Sequence, residues 1–301
     1  MEEIFERVAE LKAEKNAVIL AHYYVNGDVQ QVADYIGDSY YLSKVATTLS
    51  EKVIVFAGVN FMADSAKVLN PDKKVILPDS TADCPMAHMV TTAQIKKVRE
   101  LYEDVAVVCY INSTLELKAE SDVCVTSANA VKVVKALPNK NIFFIPDKNL
   151  AHFVAEQIPE KHFIYNEGYC PVHNYMAVKY VEEIKEKYPD IKILAHPECP
   201  RQVLAQADYI GSTSGIIDFA KASNDTKFLI CTENGVGHKL QLDNPDKMFI
   251  FNDLSICQDM KKITLQSVIK SLESLAPEVE IDLELGKKAL KPLEKMLELA
   301  K

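Results

Sequence analysis

Ile19-Leu20-Ala21-His22 returns 174 residues later in the chain as Ile193-Leu194-Ala195-His196. A second run, Ala-Asp-Tyr-Ile-Gly, stands at Ala33–Gly37 and again at Ala207–Gly211, with the same offset. Between the copies, Tyr110 lies 88 residues after His22 and 86 before His196. The offset is therefore two repeats of 87 residues, and such a period is typical of chains built from similar structural units. We interpret the chain as three diverged copies of one unit.

Three of the seven cysteines keep this period. Cys84, Cys170 and Cys257 are separated by 86 and 87 residues. Proline follows Cys84 and Cys170, and it stiffens a loop that has to aim a side chain. If the units pack around a pseudo-threefold axis, we expect the three thiols to converge on it.

Composition limits the classes of function. The chain has 301 residues, of which 48% are apolar, enough for a sizeable core. Its net charge of −9 argues against a nucleic-acid surface, which would need clustered Lys and Arg. The sequence has no apolar run of membrane length, and the segment Met1–Arg7 is too charged for a secretory signal. We therefore expect a cytoplasmic protein with reduced cysteines, no nucleic-acid partner and no membrane association.

Apolar runs alternate with amphipathic helical stretches in each unit, a pattern that indicates parallel sheets covered on both faces. We predict the α/β class, with three similar doubly wound domains whose short parallel sheets surround a pseudo-threefold axis. The predicted domains are residues 1–90, 91–173 and 174–301, the last with a C-terminal helix at Leu283–Leu299.

Four strands are predicted in each unit. They are Ala17–His22, Asp34–Gly37, Val53–Gly58, Lys74–Pro78, Val105–Ile111, Asp122–Thr126, Asn141–Ile145, His162–Tyr165, Ile191–His196, Asp208–Gly211, Lys227–Cys231 and Met248–Phe251. The helices predicted between them include Tyr40–Ser50, Ala128–Leu137, Asn174–Lys187 and Gly215–Ala222.

Polar side chains follow the carboxyl ends of the predicted strands, where parallel sheets bind their ligands. The first three strands of the units are followed by the positions 22–24, 110–112, 196–198, 38–39, 126–127, 212–213, 59–60, 147 and 232–233. The fourth strands lead to the three periodic cysteines. A single serine or threonine before a helix is ordinarily a cap, but three at equivalent positions favour a pocket for a small carboxylate or phosphate.

The remaining cysteines have simpler interpretations. Cys109, Cys124 and Cys231 lie inside apolar runs and are expected in the core. Cys199 adjoins Glu198 without a counterpart in the other units, so we expect it near the site but without a ligand role.

Three convergent thiolates suit either a zinc ion or an iron–sulfur cluster. The sequence has no Cys-x-x-Cys pair, which removes the usual structural zinc signatures. A [4Fe–4S] cluster normally takes four cysteines, so three would leave one iron open. An open metal position is a Lewis acid that assists loss of water, and the pattern therefore favours dehydration chemistry over electron transfer.

These motifs closely resemble those of the quinolinate synthase family, the A protein of de novo NAD biosynthesis. The shared stretches run through nearly the whole chain and lie at residues 19–24, 37–39, 84–87, 112–114, 126–129, 170–173, 196–199 and 211–213. The resemblance implies three similar domains around a [4Fe–4S] cluster held by Cys84, Cys170 and Cys257, with one iron open to substrate. It also implies condensation of iminoaspartate with dihydroxyacetone phosphate to quinolinate, with loss of phosphate and two waters.

The resemblance further implies a set of substrate-contacting residues with hydroxyl, amide, imidazole or carboxylate groups. They are His22, Ser39, Tyr110, Asn112, Ser127, His196, Glu198, Ser212, Thr213 and Thr232. We expect Glu198 to be the general acid or base, because a carboxylate beside a cluster and a bound anion can have its pKa shifted toward neutrality. Tyr24 and His22 would support proton transfers. The chain departs from the commonest family motif at Tyr23, where that motif has asparagine. We expect this difference to affect only local packing.

Two other functions stay open. An iron–sulfur hydro-lyase of the aconitase type would share the open iron but act on another hydroxy acid, and only the synthase forms a pyridine ring. A metal-free binding module for a small anion would leave the cysteine period unexplained. For the synthase, transient contact with the enzyme that produces the unstable iminoaspartate is a further expectation.

Overall fold

Three four-stranded parallel sheets form the framework of the protein in a computed structural model that describes residues 2–301. Each sheet has the same order, in which the second, first, third and fourth strands of a unit lie side by side. Helices connect the strands, so the predicted α/β class with three similar doubly wound units is confirmed. The sequence repeat is therefore a repeat of topology.

The first sheet contains two strands that are buried along their whole length, β1 and β3. Its strands are β1 (Ala17–His22), β2 (Tyr35–Gly37), β3 (Val53–Ala57) and β4 (Lys74–Ile76). The helices are α1 (Glu2–Lys15), α2 (Gly27–Val32), α3 (Ser39–Ala46) and α4 (Asn60–Leu69), with a 3₁₀ turn at Pro85–His88. These strands are buried along their whole length because helices cover both faces of a parallel sheet.

The second sheet repeats this arrangement, and β5 is again buried throughout. Its strands are β5 (Val105–Tyr110), β6 (Val123–Val125), β7 (Asn141–Ile145) and β8 (His162–Tyr165). The helices are α5 (Thr92–Leu101), α6 (Leu115–Ala119), α7 (Ala130–Ala136), α8 (Lys148–Gln157) and α9 (Pro171–Asn174).

The third sheet is followed by two further helices at the end of the chain. Its strands are β9 (Lys192–Ala195), β10 (Tyr209–Ile210), β11 (Lys227–Cys231) and β12 (Met248–Phe251). The helices are α10 (Val178–Lys187), α11 (Arg201–Leu204), α12 (Thr213–Ala222), α13 (Val236–Asp243), α14 (Gln258–Lys261), α15 (Leu265–Ser274) and α16 (Leu283–Leu299).

An aspartate before the second strand performs the same task in every sheet. Each accepts a hydrogen bond from a backbone N–H of the first strand, and the pairs are Asp34 with Ile19 at 2.8 Å, Asp122 with Val107 at 2.7 Å and Asp208 with Ile193 at 2.8 Å. This explains physically why Asp stands at the second place of both Ala-Asp-Tyr-Ile-Gly runs and of Ser-Asp-Val-Cys-Val at 121–125.

The first two sheets share one apolar core, whereas the third sheet has two core clusters of its own. The terminal helices belong to the shared core: α15 packs against α1 and β3, and α16 packs against α4, α6, α7 and β6. The last helix, predicted at Leu283–Leu299, is found there and lies across the first two units. Within residues 2–301, no helix combines the length and the apolar character needed to cross a membrane.

All twelve predicted strands are present, with ends within two residues of the prediction. The predicted helix Asn174–Lys187 is wrong at its start. The backbone of Ala177 is extended, with φ −81° and ψ 128°, and this separates α9 from α10. The break allows the short α9 to follow Cys170 directly, at the edge of the site described next.

Candidate active site

A cavity of about 60 Å³ lies where the carboxyl ends of β1, β5 and β9 come together. Most of the residues predicted for the site line it, and these are His22, Tyr24, Ser39, Cys84, Tyr110, Asn112, Ser127, Cys170, His196, Glu198, Thr213 and Cys257. All three sheets contribute to this lining. Their carboxyl ends therefore meet at one point, as the repeat pattern led us to expect.

Each of the three periodic cysteines is the residue immediately before a short helical segment. Cys84 precedes the 3₁₀ turn, Cys170 precedes α9 and Cys257 precedes α14. The three side chains are half-buried free thiols in the cavity wall. Burial raises the pKa of Cys257 to about 11 and also raises the pKa of Cys84 and of Cys170. Such thiols ionise at neutral pH only beside a cation, which is the behaviour of metal ligands.

The spacing of the thiols separates the two metal types left open by the sequence. Among the described residues, the three cysteine sulfurs do not form a group in which all lie within 4.8 Å of one another. Thiolates around a single tetrahedral zinc ion lie about 3.8 Å apart, as follows from Zn–S bonds of about 2.3 Å. The three thiols are therefore not spaced as the ligands of a single tetrahedral zinc ion.

A tighter group of potential ligands surrounds one of these cysteines. Ligand atoms of Cys170, His173 and Glu198 lie within 4.8 Å of one another and could hold a metal ion. His173 Nδ1 is 3.2 Å from Cys170 Sγ and 3.1 Å from Glu198 Oε2. The sequence motif Cys-Pro-Val-His contained His173, but we assigned it no role. Its spacing of three residues after Cys170 was a usable signal, since one helical turn returns a side chain to the same side.

Glu198 is buried between two histidines. Its Oε2 lies 3.1 Å from Nδ1 of both His173 and His196, and the two imidazole rings stack with centroids 4.6 Å apart. Burial alone would raise the pKa of Glu198, but the charge and hydrogen bonds of the histidines outweigh it and hold the pKa below its usual range. In this arrangement the histidines favour the carboxylate form of Glu198. The shift toward neutrality that we expect beside a cluster and a bound anion stays a prediction.

Two acceptor oxygens in the cavity are left without partners. Glu198 Oε1 and Asn112 Oδ1 are buried and form no hydrogen bond with any described residue. Leaving such atoms unpaired costs about 1–3 kcal/mol each, so their presence at one cavity indicates a place for a ligand with N–H or O–H donors or for a metal.

Tyr24 joins the first sheet to the third through its hydroxyl group. Its Oη lies 2.9 Å from Thr213 Oγ1 and 2.8 Å from Thr232 Oγ1, and Thr232 Oγ1 lies 2.8 Å from His173 Nε2. Burial raises the pKa of Tyr24 well above its usual value, which keeps the phenol protonated at neutral pH. Thr232 is not among the residues that line the cavity, but its hydroxyl group connects Tyr24 with His173.

The other predicted site residues have different environments. Ser127 Oγ lies 3.1 Å from His196 Nε2, whereas Ser212 accepts from Gly215 N and caps α12. Ser39 lines the cavity, but Asp38 caps α3 in its place. Burial lowers the pKa of His22 to about 3 and raises the pKa of Tyr110, so both are neutral near pH 7.

A surface cleft of about 570 Å³ lies elsewhere, between α8 and α11. It is lined by exposed and half-buried side chains and by Cys199, the neighbour of the site that was predicted to have no ligand role. Asn149 connects this cleft with the site, because its amide donates to the carbonyl of Glu198 at 2.9 Å. The convergent polar groups remain in the smaller, central cavity.

Comparison with known proteins identifies close relatives. The profile of the family described as quinolinate synthetase A protein matches residues 6–298. A quinolinate synthase of Fusobacterium nucleatum is 53% identical over 98% of this chain and 99% of its own length. Relatives of the same name from Clostridioides difficile and Aquifex aeolicus are 46% and 43% identical, over 98% and 100% of this chain and over 97% and 95% of their own lengths.

Proposed function

The chain belongs to the quinolinate synthetase A protein family of NAD biosynthesis, and we propose that it condenses iminoaspartate with dihydroxyacetone phosphate. The products are quinolinate, phosphate and two waters, and this balance needs no oxidant or reductant. One observation carries the proposal: cysteines from all three units line the same cavity as the unpartnered oxygen of Glu198.

We propose that Cys84, Cys170 and Cys257 hold a [4Fe–4S] cluster. Their convergence from three units on one cavity wall and the raised pKa values of all three thiols support this ligand set. With three protein ligands, the cluster would supply one open iron that polarises a substrate oxygen and assists its departure as water.

The chain's own residues would bind the substrates and move protons. Glu198 is poised as an ionised acceptor, because the neighbouring histidines hold its pKa low and leave Oε1 free. Tyr24 is a protonated donor whose hydroxyl connects through Thr232 to His173. Asn112 offers a buried oxygen to a substrate N–H or O–H, and Ser39 and Ser127 place hydroxyl groups for the carboxylates and the phosphate. The lining also includes three buried side chains, those of Tyr110, His22 and His196. Hydrogen bonds to a substrate are strong in such a cavity because little water competes for them.

Anaerobic reconstitution followed by a product assay tests this function. We expect about four irons and four sulfides per chain and formation of a pyridine product from the two substrates. Loaded iron without pyridine formation would favour a hydro-lyase for another hydroxy acid. A colourless, iron-free but folded protein would favour a small-anion binding module.

The seven cysteines are all free, which suits a reducing compartment, and we propose the cytoplasm as the location. Because iminoaspartate is unstable in water, we also propose transient contact with the enzyme that produces it. Co-sedimentation with that enzyme, and a rate of quinolinate formation that exceeds the rate from free iminoaspartate, would test this contact.

A further inference from the structure

The backbone N–H group of each cavity cysteine donates a hydrogen bond to a carboxylate. The three pairs are Cys84 with Asp83 at 2.8 Å, Cys170 with Asp147 at 3.0 Å and Cys257 with Glu233 at 3.1 Å. Each cysteine stands in the loop between a fourth strand and a short helical segment, where no neighbouring strand accepts its N–H and another acceptor is needed. In every unit the acceptor is the carboxylate of an aspartate or a glutamate.

The acids are of two kinds. Asp83 is the residue before Cys84, is half exposed and lies 2.6 Å from the exposed His88. Asp147 and Glu233 are completely buried and precede their cysteines by 23 and 24 residues. Both stand two residues after a third strand, β7 or β11. That strand pairs with the fourth strand of its sheet, so its end lies beside the loop that carries the cysteine.

Asp147 uses both of its oxygens. Oδ1 accepts from Leu150 N at 2.7 Å and caps α8, while Oδ2 accepts from Cys170 N. The beginning of α8 and the loop of Cys170 are thereby tied to one buried carboxylate.

Glu233 extends the same arrangement across two sheets. Its Oε1 accepts from Cys257 N and lies 3.0 Å from Lys261 Nζ, and its Oε2 accepts from Gly235 N. Lys261 Nζ also donates to the carbonyl of Tyr24 at 2.7 Å. The loop of Cys257 is therefore connected to the backbone of a residue in the proposed proton-transfer network.

We propose that Asp147 and Glu233 are positioning residues that hold the backbones of Cys170 and Cys257 so that both thiols face the cavity before any metal binds. The purpose assigned to these thiols rests on the proposed function. Holding the ligands in place beforehand reduces the conformational freedom that metal binding would otherwise have to remove.

Isosteric substitutions test this role. In Asp147→Asn one oxygen becomes an NH₂ group, which cannot accept, so either the cap of α8 or the bond from Cys170 is lost. Glu233→Gln has the same effect on Cys257. Asp122→Asn is the matched control, because Asp122 also accepts a backbone N–H but accepts none from the three cavity cysteines. Val154→Ala, at a buried position of α8, controls for general destabilisation.

The measurement is the rate of alkylation of each cysteine by iodoacetamide in the metal-free full chain, followed by peptide mass spectrometry. We expect Asp147→Asn to raise the Cys170 to Cys84 rate ratio at least fivefold, and Glu233→Gln to do so for Cys257. Both should bind less than half the wild-type iron after reconstitution. The two controls should leave the ratios within twofold, since general destabilisation changes all rates together. Ratios within twofold in both isosteric variants would overturn the proposal.

Hydrogen exchange in the unmodified, metal-free chain gives a second test that survives a failure of the variants to fold. The amides of Cys170 and Cys257 should exchange at least tenfold more slowly than the amide of Cys84, whose acceptor is half exposed. Equal exchange at all three amides would contradict buried carboxylate acceptors. If the expected alkylation ratios occur in a chain that takes up no iron, the proposed function fails while the positioning of the thiols stands.

Discussion

The phenol oxygen of Tyr24 lies 2.8 Å from the hydroxyl oxygen of Thr232, although the two residues are 208 positions apart in the chain. Thr232 also contacts His173, which in turn contacts Glu198. A continuous path of hydrogen-bonding groups therefore runs from the end of β1 to the carboxylate in the cavity. Its members come from different units, so the path exists only in the assembled fold.

Tyr24→Phe should lower kcat at least 100-fold, because it removes a protonated donor from the cavity, and general acid catalysis contributes typically 10²–10⁴. It should also cost about 1–2 kcal/mol of unfolding free energy through the lost hydrogen bonds. Tyr180→Phe is the matched control, since its hydroxyl donates to the carbonyl of Phe251 at 2.7 Å, away from the cavity. It should cost similar stability and retain kcat. Steady-state kinetics measure kcat, and denaturant unfolding measures the stability of both variants. A kcat of Tyr24→Phe within threefold of wild type would show that Tyr24 takes no part in the reaction.

Glu198→Gln should keep the iron content and substrate binding but lose turnover, because the amide cannot serve as an ionised acceptor. We expect kcat to fall at least 100-fold with KM changed less than tenfold. Glu156→Gln, which breaks an exposed ion pair with Arg201, should leave both constants unchanged. Normal turnover of Glu198→Gln would show that Glu198 is neither acid nor base.

Single Cys84→Ala, Cys170→Ala and Cys257→Ala substitutions should each abolish cluster loading and activity, since each removes one of the three proposed ligands. Cys109→Ala and Cys231→Ala should retain the cluster and cost about 1–2 kcal/mol of stability, because both thiols are buried in the core. Iron and sulfide analysis with thermal unfolding measures both effects. Full loading of Cys170→Ala would refute the three-cysteine assignment.

Acid should destabilise the metal-free protein partly through His22. Burial lowers its pKa to about 3 from an ordinary value of 6.5, so between these pH values the unfolded chain binds a proton that the folded chain does not. This contribution is complete above pH 6.5 and is lost as the pH falls toward 3, by up to about 5 kcal/mol. Denaturant unfolding at pH 7, 5.5 and 4.5 should show a steeper loss for wild type than for His22→Gln. Identical pH dependence of the two proteins would contradict a buried, neutral imidazole.

The strands and the cysteine period could be predicted because they depend on local pattern and on repetition. Runs such as Val105–Tyr110 are apolar throughout because both faces of the sheet are covered. An apolar run of this kind can be recognised from the sequence alone. The break between α9 and α10 was missed because the residues around Ala177 carry neither proline nor glycine to mark it.

The pKa of Glu198 could not be predicted from its neighbours in sequence. His196 is two residues away, but His173 is brought to the other side of the carboxylate by a different unit. The low pKa depends on the contacts with both histidines, and only the fold brings the second one to the carboxylate. The role of Ser212 could not be predicted from the sequence either. Its position is equivalent to that of cavity-lining residues in the other units, but its side chain caps a helix.

By itself the sequence determined three α/β units, their strands, and which residues stand at the strand ends, since hydrophobic period and repeat spacing are local properties of the chain. Tertiary structure alone decided which of those residues face one another. Tyr24 meets Thr232, His173 and His196 enclose Glu198, and buried acids hold the cysteine backbones, because the packing of three separate sheets sets distances that no single segment encodes.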